Sequence, residues 1–152
     1  LALEREARHL VVEVPGAREF VASLNGIPWA VATSGEREIA EPRLRKVGIP
    51  IPRVLITAEK VRRGKPDPEV YLRAAAALGV DASRCVVFED APPGVEAGRG
   101  AGAPVIALLT TFPAEALAAA DALVDDFRSI RVERTASGVR LHIVPVLPRN
   151  LG

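Results

Sequence analysis

The chain is 152 residues long and 49% hydrophobic, with 20 Lys and Arg against 19 Asp and Glu, a net charge of +1 at pH 7. That size and apolar content suit one folded domain with its own core. The near-balanced charge argues against a dedicated nucleic-acid surface, and no apolar run is long enough to predict a membrane-spanning helix.

The single cysteine, Cys85, has no partner for an internal disulfide and reads as a small core side chain, consistent with a cytoplasmic protein. The sequence begins at Leu1 and contains no Met, which reads as a product lacking an upstream part.

In chain order, residues 1–9 (LALEREARH) favour a helix too short to stand alone. Residues 17–24 follow a Pro-Gly start, carry Phe20, Val21 and Leu24 on one face and stop at Asn25-Gly26, predicting a helix. WAVATS (29–34) is a short apolar strand. GEREIAEPRLRKVG (35–48) is a helix stopped by Gly48, with Pro42 as an expected kink or break. VLIT (54–57) is a strand, and PEVYLRAAAALG (68–79) an Ala-rich helix with a Gly stop. CVVFED (85–90) is a strand and residues 93–99 a Pro-started helix. PVIALLT (104–110) is a strand, PAEALAAA (113–120) a helix and ALVDD (122–126) a short strand. Beyond Ser129 the pattern weakens: GVRLHIVPVL (138–147) alternates as a terminal edge strand, with Pro145 and Pro148 resisting pairing.

Strands alternating with short helices, several of them apolar throughout, describe an α/β three-layer sandwich with a mostly parallel sheet covered on both faces. Ligands of such sheets bind beyond the carboxyl ends of the strands. Those ends carry Thr33-Ser34, Thr57, Glu89-Asp90 and Thr110-Thr111, all polar.

Glu89-Asp90 is the sharpest signal. Neighbouring strand residues point to opposite faces, so both reach one site only if the chain turns at once, as APPGV (91–95) forces it to. Gly94 reads as a residue needed for backbone geometry that others resist. Two carboxylates at one point suit Mg²⁺, a hard ion held by one or two carboxylates plus phosphate. The bland alternative is a solvated strand end with Asp90 capping the next helix. Lys65, between Gly64 and Pro66, would approach a phosphate or carboxylate from a fixed direction, although an isolated lysine is more often a solvated surface group. The P-loop pattern is absent, since Pro66 follows the lysine. VATSG (31–35) could hold an anion at a helix N-terminus through hydroxyls and N–H groups, or simply cap the helix through Ser34. GVEAGRGAG (94–102) looks dinucleotide-like, but its glycines close a helix instead of opening one. Neither His9 nor His142 has metal-ligand spacing to another His or Cys.

Taken together and in this order, WAVATSG, GKPDPEVYL and VVFEDAPPGVEAG resemble the second, third and fourth motifs of the haloacid-dehalogenase-like hydrolase superfamily, nearest to its sugar- and glycerol-phosphate phosphatases with a helical cap. The resemblance implies a Rossmann-like core and a Mg²⁺-dependent phosphomonoesterase acting through an aspartyl phosphate on a small phosphorylated metabolite. By resemblance Thr33 would hydrogen-bond the transferring phosphoryl group and Ser34 and Gly35 would shape its pocket. Lys65 would neutralise phosphate and nucleophile, and Glu89 and Asp90 would hold Mg²⁺, Asp90 more directly. The family's first motif, a strand ending in D-x-D with the nucleophile, has no counterpart before Thr33, where no Asp occurs. The expected reading is therefore an incomplete core: a remnant of the cap and linker at 1–15, a core lacking its first strand at 16–130, and an edge strand or tail at 131–152. The missing segment would lie outside this chain, or come as a separate chain. A phosphomutase on the same core, or an inactive fragment that only binds phosphate or metal, are the alternatives.

Overall fold

The computed structural model describes residues 14–146. The helix expected at 1–9 and the chain beyond 146 lie outside them, as does nearly all of the expected cap remnant. The described chain is a mixed α/β fold with parallel sheets. Its helices are α1 (Ala17–Ala22), α2 (Arg37–Lys46), α3 (Glu69–Leu78) and α4 (Pro92–Gly100). The parallel strands are β1 (Ala30–Ala32), β2 (Val54–Ile56), β3 (Val87–Glu89), β4 (Val105–Leu108) and β5 (Ala122–Val124).

The first four strands are buried at every position, which is why their sequences do not alternate: both faces are covered. Their side chains still sort by parity. Ala30, Ala32, Val54, Ile56, Val87, Val105 and Ala107 pack with Val70 and Tyr71 of α3 and Val95 of α4. Val31, Leu55, Phe88, Ile106 and Leu108 pack on the other face with Phe20 of α1 and Leu44 of α2. Both groups draw on β1–β2 and on β3–β4, so the strands share one layer between two layers of helix.

Backbone pairing divides that layer in two. β1 pairs with β2, and β3 pairs with β4 and β4 with β5, all in parallel, but no ladder joins β1 to β3 among the described residues. The layer is thus two sheets with common cores, interrupted between β1 and β3, as expected of a core that lacks its first strand.

Several expectations need correction. Pro42 does not break α2: it is the sixth residue of an uninterrupted helix, where its missing N–H forfeits only one intrahelical bond. Residues 113–120 form only a 3-10 turn at Ala114–Leu117. The cause is Asp121, whose N–H donates to the Val105 carbonyl and whose carboxylate accepts the Val105 N–H at 2.8 Å, drawing the chain straight into β5. Past Ser129 the chain forms an antiparallel hairpin of β6 (Ile130–Thr135) and β7 (Gly138–Ile143), not an edge strand of the main sheet. Its inward side chains, Ile130, Val132, Leu141 and Ile143, close the lower core. Pairing stops before Pro145, and only the Val146 N–H rejoins the sheet, on the Leu123 carbonyl of β5. Cys85 lies just outside β3 and is half-buried.

Phe20, Phe88 and Phe127 meet with ring centroids 5.0–5.5 Å apart and tie α1, β3 and the turn before the hairpin together. Phe127 is 1% exposed. Phe127→Ala should cost about 3–5 kcal/mol, the range for emptying a packed aromatic site. Urea unfolding of the full-length protein reads this as a lower midpoint; a loss below about 1 kcal/mol would contradict the packing described.

Candidate active site

The site begins where β3 ends. Glu89 is its last residue and is 1% exposed. Its carboxylate lies over the first turn of α4, against Gly94: a Cβ on Gly94 would stand 1.9 Å from the Glu89 carboxyl carbon. Gly94 therefore serves by its missing side chain and not, as its sequence context suggested, by unusual backbone geometry, since its φ is not positive. The Glu89 oxygens are spoken for. Oε1 accepts from Lys65 Nζ at 2.6 Å and from the Tyr71 hydroxyl, while Oε2 accepts the Asp90 N–H at 3.2 Å.

Lys65 arrives from the loop before α3, and that loop is anchored at its base. Glu69, in the first turn of α3, accepts the backbone N–H groups of Arg62 and Arg63 and the Arg73 side chain. The Arg62 and Arg63 bonds lead in holding its carboxyl down at about 2. This support is present above the ordinary carboxyl value of 4.5 and is lost as pH falls toward 2. Asp67 accepts the Glu69 N–H, closing the turn. The lysine side chain runs inward, only 6% exposed, and its ammonium also donates to the Ala32 carbonyl of β1 at 3.4 Å. One ammonium thus touches the carboxyl ends of β1 and β3, which share no backbone bond.

At the end of β1, Thr33 is buried, its N–H paired to the Ile56 carbonyl and its hydroxyl accepting the Gly35 N–H at 3.0 Å. The Gly35 carbonyl accepts the Ala58 N–H, so this turn is braced against β2. Ser34 is exposed and does not cap α2; the helix starts at Arg37, whose N–H is held by Glu59 at 2.7 Å. Thr33, Ser34, Arg62, Gly64 and Lys65 line a small cavity of about 140 Å³. Asp90 is not among its walls; its link to the cavity runs through Glu89 and Lys65.

Asp90 is 3% exposed, and it does not cap α4, which removes the bland reading of this residue. Its Oδ2 accepts the Thr111 hydroxyl at 2.9 Å, whereas Oδ1 is buried with no hydrogen-bond partner among the described residues. Burial pushes the Asp90 carboxyl up; the Thr111 bond opposes this, Glu89 adds to it, and Lys65 opposes it only weakly. At Asp90 the attraction of the lysine is therefore outweighed by burial.

An orphaned, buried carboxylate oxygen beside a phosphate-sized cavity fits a divalent cation. Asp90 has an unengaged oxygen to offer such an ion, whereas both Glu89 oxygens already accept hydrogen bonds, Oε2 only one of them. Among the described residues no three His, Cys, Asp or Glu side chains gather as a metal cage.

Thr33, Lys65, Glu89 and Asp90 thus meet at adjacent strand ends, and Ser34 and Gly35 flank them. Tyr71 and Thr111 belong to the site as well. The only sequence signals were a tyrosine on the apolar face of α3, whose hydroxyl must find a partner when buried, and a polar strand end. Gly94→Ala should force Glu89 out of its cradle: about 1–3 kcal/mol of overpacking and loss of the Lys65 contact. A crystal structure of the variant with Lys65 and Glu89 still at hydrogen-bond distance would contradict this.

The comparisons with known proteins point the same way. Residues 3–102, more than half of the chain, match the family model of haloacid dehalogenase-like hydrolases. Hexitol phosphatase A of Escherichia coli is 41% identical over 130 residues, covering 84% of this chain and 60% of the relative. Glycerol-1-phosphate phosphohydrolase 2 of Saccharomyces cerevisiae is 43% identical over 133 residues, covering 80% and 53%. The chain thus spans little more than half the length of these relatives. Among solved structures, a family hydrolase of Deinococcus radiodurans with bound phosphate and sodium superposes with a TM-score of 0.69 at 33% identity, over 73% of this chain and 54% of that one. The chain belongs to the haloacid dehalogenase-like hydrolase family.

Proposed function

We propose that the full-length protein is a Mg²⁺-dependent phosphomonoesterase acting on a small sugar or polyol phosphate. The observation that carries this reading is a buried ammonium, Lys65, held on Glu89, with the buried and unpartnered Oδ1 of Asp90 on the next residue. Phosphoryl transfer asks little covalent chemistry of the protein and much positioning of charge around the equatorial oxygens. In this reading the Thr33 hydroxyl and the Ser34 N–H orient the phosphoryl group in the cavity, and Gly35, whose N–H is held by the Thr33 oxygen, shapes the turn. Lys65 offsets its charge, and Glu89 aims Lys65. Asp90 holds the ion, which when bound would neutralise charge on the phosphoryl oxygens.

The covalent step takes an aspartate from outside this chain. Its carboxylate oxygen bonds to phosphorus as the ester P–O bond breaks, and the alcohol leaves with a proton from a general acid of the same outside segment; that group takes a proton back from the water whose oxygen attacks phosphorus, releasing inorganic phosphate and restoring the carboxylate. The edges of β1 and β3 that face Lys65 are where the strand bearing that aspartate would pair. Residues 16–130 are then the core lacking its first strand, and the hairpin of β6 and β7 closes one of its faces. The names of the relatives support a sugar or polyol phosphate as substrate. No helix among the described residues is long and apolar enough to cross a membrane, and a cytoplasmic enzyme is part of the proposal.

Phosphate release from a panel of hexitol, glycerol and sugar phosphates tests the reading, with wild-type turnover requiring Mg²⁺. Absence of turnover across the panel contradicts it, and recovery of the phosphoryl group on a second sugar hydroxyl would make the enzyme a mutase. Asp90 gives a sharper expectation. Its raised pKa means that stability falls as pH climbs from the ordinary value of 3.8 toward the raised one, and the whole penalty is present above it. Metal-free Asp90→Asn should therefore melt no lower than wild type, and up to a few degrees higher, about 1 kcal/mol. Mg²⁺ should raise the wild-type melting temperature but not the variant's, and variant turnover should fall by about 100-fold or more. Ser34→Ala should keep the Mg²⁺ response. An equal Mg²⁺ response in Asp90→Asn and wild type sinks the metal role.

A further inference from the structure

The hydroxyl of Tyr71 lies on the same Glu89 oxygen that receives Lys65. Tyr71 is 4% exposed and stands in the first turns of α3, on the helix face that packs against β1 and β3. Its ring also faces the lysine, with the ammonium 5.3 Å from the ring centroid. A tyrosine needed only for packing has no reason to present both its hydroxyl and its π-face to one ion pair.

From this we infer that Tyr71 is a positioning residue that keeps Lys65 available to an anion. The inference rests on the phosphoryl-site reading of the cavity. A lysine ammonium has three N–H donors, and here one goes to Glu89 Oε1 and one to the Ala32 carbonyl. The remaining N–H is the one an anion in the cavity could use. How strongly Glu89 competes for the ammonium depends on how much of its charge is answered elsewhere. The Tyr71 hydroxyl answers part of it, on the same oxygen, and fixes the carboxylate's rotation together with the Asp90 N–H on Oε2. The ring face supplies a weaker, non-competing attraction that steadies the ammonium without using a donor. Without the hydroxyl, Oε1 would turn its whole charge on Lys65 and draw the ammonium away from the cavity.

The conservative variant Tyr71→Phe separates the two jobs, since it keeps the ring and the packing and removes only the donor. In the full-length protein with Mg²⁺, its affinity for inorganic phosphate should fall by about 3- to 10-fold, less than the full worth of a hydrogen bond to a charged group because the lost donor acts on phosphate only through Glu89 and Lys65. The ¹⁵N-lysine ammonium resonance of Lys65, assigned by its loss in Lys65→Arg, should shift in Tyr71→Phe even without phosphate. Tyr71→Leu, which also removes the ring, should lose more phosphate affinity than Tyr71→Phe. An unchanged ammonium resonance together with unchanged phosphate affinity in Tyr71→Phe overturns the role of Tyr71 and leaves the phosphoryl site standing. If wild type itself binds no phosphate, the phosphoryl-site reading falls, and with it the inference that Lys65 is kept available for an anion. A shifted ammonium resonance with lower phosphate affinity and a near-wild-type melting temperature is the result the inference requires.

Discussion

The buried ion pair between Lys65 and Glu89 is the contact on which the site depends. Two side chains exposed by only 6% and 2% meet at 2.6 Å, at the point where the two parallel sheets adjoin without a backbone ladder. Such a pair contributes little net stability, because desolvating two charges consumes most of their attraction. What it contributes is placement, and breaking it by removing one partner typically costs about 3–5 kcal/mol because the other charge is stranded. The surrounding sequence serves it. Gly94 makes room for the carboxylate, Tyr71 shares it, and Glu69 ties down the loop that delivers the lysine.

Asp90 is built on the opposite principle. Its neighbour in sequence is fully satisfied, whereas Asp90 is buried with one oxygen engaged by Thr111 and the other left over. A carboxylate kept this way weakens the fold unless something else completes its shell, which is the usual mark of a binding group. The adjacent carboxylates thus have different environments: one accepts a lysine and a tyrosine, and the other keeps a buried oxygen without a hydrogen-bond partner among the described residues.

Much of this was legible beforehand because local chemistry and fold agree. All-apolar strands ending in polar residues gave the parallel layer and its functional edge, and three ordered motifs gave the family. The failures share a physical cause: they turn on contacts between residues distant in sequence. An Ala-rich stretch at 113–120 has every local reason to be a helix, but Asp121 is clamped to Val105 in a neighbouring strand. GVRLHI alternates as an edge strand of the main sheet would; its partner is instead the charge-rich IRVERT, and the two form a hairpin that turns its apolar side to the core. Gly94 looked like a backbone requirement until the carboxylate packed against it was seen. Tyr71 and Thr111 acquire their meaning only from the oxygens they meet.

The central claim is that Thr33, Lys65 and Asp90 form one phosphoryl site. A crystal structure of the full-length protein grown with Mg²⁺ and inorganic phosphate tests it most directly. Phosphate within hydrogen-bond distance of the Thr33 hydroxyl and the Lys65 ammonium, with the cation on Asp90 Oδ1, is the predicted result. Phosphate bound away from the 140 Å³ cavity, or a cation coordinated without Asp90, would contradict the account.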